Sequence, residues 1–130
     1  MNKAAFFIVV VMTYTATSAH ADPCTTQKNT IEINECGRLT LAKKDKELNA
    51  AYQRLLKGFS SQETGDVTNY EKVRFELREA QRNWIKYRDS DCSGKLVLAG
   101  TATMRGAIYN GCLIERTEQR IGELDKWAED

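Results

Sequence analysis

Pro23 is the only proline in the chain. Residues 24–130 therefore contain no obligatory helix breaker, and their long stretches of Ala, Leu, Glu, Lys, Arg and Gln favour helix throughout. Asp22 and Pro23 read as an N-cap followed by proline at the first helical position, opening a short helix that is interrupted and restarted at Thr30. From there Ile33, Cys36, Leu41, Leu48, Tyr52, Leu55 and Phe59 recur at helical spacing, which predicts a first long helix of about 25 residues ending near Gly58. Ser60 to Asn69, polar and containing Gly65, reads as a loop. A second helix is predicted over Asn69–Cys92, where Tyr70, Val73, Leu77, Ala80, Trp84, Tyr87 and Asp91 step by three or four.

The stretch Ser93–Gly111 reads two ways. Lys95-Leu96-Val97-Leu98-Ala99 extends the second helix, whereas the run from Gly100 to Gly106 breaks it. A third helix follows, with Leu113, Thr117, Ile121, Leu124 and Ala128 on one face. The fold class expected is all-α: a small three-helix up-down-up bundle with a short N-terminal helix.

The N-terminus has a separate use. Met1–Lys3 is a short positive start, Ala4–Met12 an apolar run, and Ala19-His20-Ala21 a small-x-small cleavage site, together the pattern of a secretory signal peptide over residues 1–21. Residues 22–130 then form one domain, too short for two cores. The apolar run falls short of the ~20 residues that span a bilayer. Asp22-Pro23 separates Ala21 from Cys24, so no lipid-bearing cysteine stands at the cleavage point. The expected location is periplasmic or secreted, without a membrane anchor.

Export removes His20, the only histidine, and Lys3, leaving 18 basic residues against 18 acidic ones. A neutral body has no overall field to draw it to nucleic acid or to an anionic membrane. Without histidine it also lacks the side chain best suited to proton transfer near neutral pH.

Cys24, Cys36, Cys92 and Cys112 in an exported chain of this size predict two disulfides among three connectivities. A zinc site is disfavoured, since no close C-x-x-C spacing and no histidine partner accompany them. In an up-down-up bundle all four lie at one end. Cys24 with Cys36 and Cys92 with Cys112 are the preferred pairs, because each closes a local loop. The first requires the chain to bend before Thr30, since an unbroken helix would hold the two about 18 Å apart. Cross-helix pairings such as Cys36 with Cys92 stay open.

A polar stripe crosses the apolar pattern. Asp45 sits between Leu41 and Leu48, and Gln81, Trp84 and Arg88 align on the second helix. Asp45 and Arg88 facing across the bundle would make a bidentate pair, with Asn49 and Gln81 completing the hydrogen bonds. One reading of this network is that it sets helix register and nothing more. The density of Trp, Tyr and Arg from Trp84 to Arg88 suits an interface instead. Asp89 and Asp91, two positions apart on a helix, point to different faces and do not form a glycosidase-like pair. The 93–111 segment adds Arg105, Tyr109 and Asn110 as partner-binding candidates, among apolar residues suited to entering a partner's cleft.

Four stretches carry a resemblance: Cys24 to Cys36 through Glu32-Ile-Asn-Glu; Asp45-Lys-Glu-Leu-Asn-Ala-Ala-Tyr52; Leu77-Arg-Glu-Ala-Gln-Arg-Asn-Trp84-Ile-Lys-Tyr-Arg88-Asp89-Ser-Asp-Cys92; and Cys112-Leu with Thr117 to Leu124. In this spaced combination the chain resembles the LprI-type lysozyme inhibitor family, small exported bacterial proteins named after a mycobacterial lipoprotein. The resemblance implies a disulfide-stapled helical domain, no catalytic residues, no metal or cofactor, and a protein partner, a lysozyme, inhibited by occlusion of its cleft. Two rival classes accompany it: an immunity or envelope-stress protein binding another periplasmic partner, and a structural role in the envelope. An enzyme is the class least suited to these residues.

Overall fold

A computed structural model of the chain describes residues 23–60 and 68–127. Among these residues four helices follow one another: α1 Pro23–Thr26, α2 Thr30–Ser60, α3 Tyr70–Leu98 and α4 Arg105–Trp127. No strand occurs among the described residues. The signal segment, Asp22, Gly65 and Ala128 lie outside them.

The break between α1 and α2 is where the composition placed it. Gln27 adopts a positive φ of 28°, turning the chain so that Cys24 and Cys36 stand 4.8 Å apart at Cα and are bonded. Asn29 then starts α2, its Oδ1 accepting the Glu32 N–H at 3.0 Å while the Glu32 carboxylate accepts the Lys28 N–H at 2.7 Å. Orphan donors at the helix start are satisfied by this exchange. α2 runs for 31 residues, longer than its apolar stripe, because Gly58 is tolerated within the last turn.

Asn69 caps α3 by accepting the Lys72 N–H at 2.9 Å. The larger difference from the sequence reading is at the other end, where α3 continues through Ser93-Gly94 and stops at Leu98. A mid-helix glycine costs only about 1 kcal/mol, and the Cys92–Cys112 disulfide beside it clamps the segment. Gly100 ends the run in the left-handed region, φ 56°, its N–H reaching Val97 O at 3.0 Å. The connection to α4 is thus short, and Arg105, Tyr109 and Asn110 are helical. Of the two readings of 93–111, the helical extension holds as far as Leu98, and the break is confined to a tight turn before α4.

Gly106 belongs to α4 because of packing. A Cβ there would stand 2.8 Å from Asn34 Oδ1, and one at Gly37 would stand 3.1 Å from Asn110 Cβ. Each glycine lies under the asparagine of the facing helix, letting α2 and α4 cross closely, and Asn110 Nδ2 donates to Asn34 O at 3.3 Å. Further along, Lys44 meets Glu118 and Arg54 meets Asp125, both at 3.1 Å. Residue order thus rises together on α2 and α4. Along α3 it runs the other way: Cys92 bonds Cys112, Asp91 pairs with Arg116, and Gln81 bonds Arg120.

Two apolar clusters hold the helices. Leu48, Ala51, Leu55, Leu77 and Leu124 form the main one, flanked by Tyr52, Leu56, Phe59, Trp84 and Ile121. Cys92, Cys112 and Leu113 form the second, with Leu41 and Tyr109 against them. Full burial of a leucine side chain stabilises by roughly 1.5–3 kcal/mol, so a core this small leans on its two cross-links. α2 and α3 share the lightest packing of the helix pairs, and a groove opens between them.

Candidate functional site

Arg88, on α3, ties the three long helices together at the head of this groove. Its Nη1 donates to Asp45 Oδ1 of α2 at 2.8 Å and to Thr117 Oγ1 of α4 at 3.0 Å, and its Nε donates to Asp89 Oδ1 at 2.9 Å. The Arg88 side chain is 11% exposed. Burial works against its charge, but the hydrogen bonds to Asp45 and Asp89 outweigh this and hold its pKa above the usual arginine value. The guanidinium lies 5.4 Å from the Trp84 ring centroid, and that of Arg120 lies 5.9 Å from it, both within cation–π range.

The polar stripe read from the sequence is rearranged. Asp45 and Arg88 do meet, through one oxygen and one nitrogen, so the pair is not bidentate. The Asp45 carboxylate is half-exposed, and the second face of the guanidinium turns to Asp89 on its own helix. Gln81 is buried, but its Oε1 accepts from Arg120 Nε at 3.0 Å, two helical turns from Arg88. Asn49 stands exposed on the groove rim. Asp91 pairs with Arg116 at 3.0 Å, and that hydrogen bond raises the Arg116 pKa. Asp91, Cys92 and Cys112 cluster within 4.8 Å, yet both sulfurs are spent in the disulfide, so one ion-paired carboxylate is all they offer.

The groove has a volume of about 310 Å³ and is lined by Asp45, Leu48, Asn49 and Tyr52 of α2 and Gln81, Ile85 and Arg88 of α3. Thr117 and Arg120, which orient Arg88 and Gln81, were not singled out as polar partners by spacing. Thr117 falls on the apolar stripe of α4, and it is fully buried with its hydroxyl donating to Leu113 O at 2.7 Å. Only the crossing of α4 over α3 brings either residue to the site.

The remaining candidates lie at the pole where α3 hands over to α4. Val97 and Leu98 are 79% and 88% exposed, and Met104 and Ile108 stand exposed beside them. Arg105 is exposed in the first turn of α4, its Nη1 reaching Gly100 O at 3.4 Å. Tyr109 packs on the Cys92–Cys112 cluster, and Asn110 is engaged with Asn34. These two are packing residues of the helix interface.

A family model described as "Lysozyme inhibitor LprI" matches residues 21–124. The chain belongs to the LprI lysozyme inhibitor family. The LprI match takes in both disulfides, the groove and the pole, stopping three residues before the end of α4. The chain is also similar to a Rhizobium meliloti (strain 1021) protein described as the uncharacterized protein R02472, with 29% identity over 129 residues covering 96% of this chain and 93% of that one. No solved structure gives a significant match. Among the described residues no helix is long and apolar enough to cross a membrane.

Proposed function

We propose that residues 22–130, released from a signal peptide by cleavage after Ala21, act outside the cytoplasm as an up-down-up helical inhibitor that binds lysozyme and occludes its cleft. The match to the LprI family over residues 21–124 carries this reading. The order of contacts along α2, α3 and α4 supports the topology. Action by binding is the part of this reading that the inhibitor family supports.

The pole supplies the inhibitory contact. Its apolar side chains, Val97, Leu98, Met104 and Ile108, suit a cleft that normally grips a glycan, and Arg105 brings a guanidinium to the paired carboxylates on which glycoside hydrolysis depends. The Cys92–Cys112 bond anchors the pole from behind, so little ordering entropy is lost on docking. Arg88 bonds Asp45, Asp89 and Thr117 and holds the helices together at the groove, so it is not assigned to the pole.

The test is a lysis assay with the disulfide-intact mature protein. Micromolar protein slows lysis by animal-type or bacterial lysozymes, and Arg105→Glu combined with Leu98→Asp weakens inhibition at least ~10-fold with an unchanged melting temperature. Undiminished lysis by every lysozyme tried would refute the proposal.

A further inference from the structure

The groove between α2 and α3 has unspent hydrogen-bonding capacity. Gln81 is 7% exposed, and with its Oε1 held by Arg120 Nε its amide NH₂ is oriented but has no acceptor among the described residues. Arg88 uses Nη1 and Nε on three partners, which leaves Nη2 similarly without one. The one buried side-chain polar atom lacking a partner among the described residues is Asn34 Oδ1, so the Gln81 and Arg88 donors are open to solvent, on side chains that line the groove. Seven residues apart on one helix, the two side chains stand about 10 Å from each other. Leu48, Tyr52 and Ile85 line the space with apolar surface, and Asp45 and Asn49 offer further polar groups from α2.

Charge and size narrow the ligand. Among the described residues Arg88 is the one cation lining the groove, and it is already faced by Asp45 and Asp89, so these residues carry no surplus positive charge and a carboxylate or phosphate would be repelled by Asp45. The ligand is therefore uncharged, with several oxygen acceptors and a compact apolar surface. A peptide helix needs a long apolar trough with anchors at i, i+3 and i+7, whereas this groove has three apolar residues and a volume of about 310 Å³. That volume is at the small end of ligand sites, the scale of one or two sugar rings.

We infer that the α2–α3 groove is a binding site for a neutral saccharide. Its hydroxyl or acetamido oxygens accept from Gln81 and Arg88, its hydroxyls bond Asp45 and Asn49, and its C–H faces pack against Tyr52, Leu48 and Ile85. This site is independent of the lysozyme-facing pole: Val97 is twelve residues beyond Ile85, about 18 Å along α3.

The experiment is NMR titration of the disulfide-intact protein with cellobiose and with N,N′-diacetylchitobiose. Expected are shifts of the Gln81 side-chain amide and the Arg88 Nε resonance on adding at least one disaccharide, with affinity in the millimolar range. Asn49→Ala, an exposed change that leaves the fold intact, and Gln81→Leu should each weaken binding at least ~10-fold, the loss of one good hydrogen bond. Shifts absent from the groove with both sugars would overturn the inference, as would binding that persists undiminished in Asn49→Ala. Groove shifts on adding lysozyme but with neither sugar would also overturn it, assigning the groove to a protein partner. Lysis inhibition is read separately, so either result stands without the other.

Discussion

Arg88 shows how much an individual side chain's surroundings decide. Its ion pair with Asp45 looks like the main tie between α2 and α3, but the Asp45 carboxylate is 47% exposed, and exposed pairs contribute about 0–1 kcal/mol. The contacts that matter more are the sheltered ones, to Thr117 Oγ1 and over Trp84. Asp45→Ala is therefore expected to cost less than about 1 kcal/mol. Arg88→Ala should cost about 3 kcal/mol, since it leaves a buried hydroxyl short of a donor and uncovers the tryptophan. Arg88→Lys recovers little, because an ammonium cannot reach three acceptors in a fork. Denaturant midpoints of the three variants check the order. The meeting of Asp45 and Arg88 was legible from the polar stripe. The role of Thr117 was not, since a threonine on an apolar helix face gives no sign of what crosses above it.

Among the helices, the glycines separate local preference from packing. Gly122 lies within α4 with nothing within 4 Å of an added Cβ, so Gly122→Ala should stabilise by up to about 1 kcal/mol through helix propensity alone. Gly37→Ala has the same propensity gain, but its Cβ would press on Asn110 Cβ at 3.1 Å. That atom is fixed to the α4 backbone, and overpacking of this kind costs about 1–3 kcal/mol, so a net loss is expected. Thermal unfolding of both variants, followed by circular dichroism, tests the contrast. The same physics explains why helix existence was legible and helix ends were not. Gly94 and Gly106 look like breakers one at a time, yet the first is held by the neighbouring disulfide and the second is needed where α2 and α4 touch.

The whole domain depends on its cross-links, and not equally. Both disulfides close short loops, 12 and 20 residues apart in sequence, and the chain-entropy account gives each about 3 kcal/mol. Cys92–Cys112 joins α3 to α4 inside an apolar cluster, so Cys92→Ala with Cys112→Ala also leaves a cavity and should cost ~1–2 kcal/mol more. Cys24–Cys36 pins the four-residue α1 to the start of α2, and its removal should free mainly that segment while the three long helices stay folded. Hydrogen exchange read helix by helix distinguishes the two: global loss of protection in the first variant, loss confined to residues before about Asn34 in the second.

The absence of proline after residue 23, the three- and four-residue apolar steps and the spacing of four cysteines were enough to specify an all-helical chain stapled twice, because helix propensity and local loop closure act between residues near in sequence. Where α3 ends, which groups complete Arg88, why Gly106 sits inside a helix and that a groove opens between α2 and α3 were decided only by the assembled bundle. Those properties depend on distances between helices, and α4 sets them by filling the space that α2 and α3 leave between them.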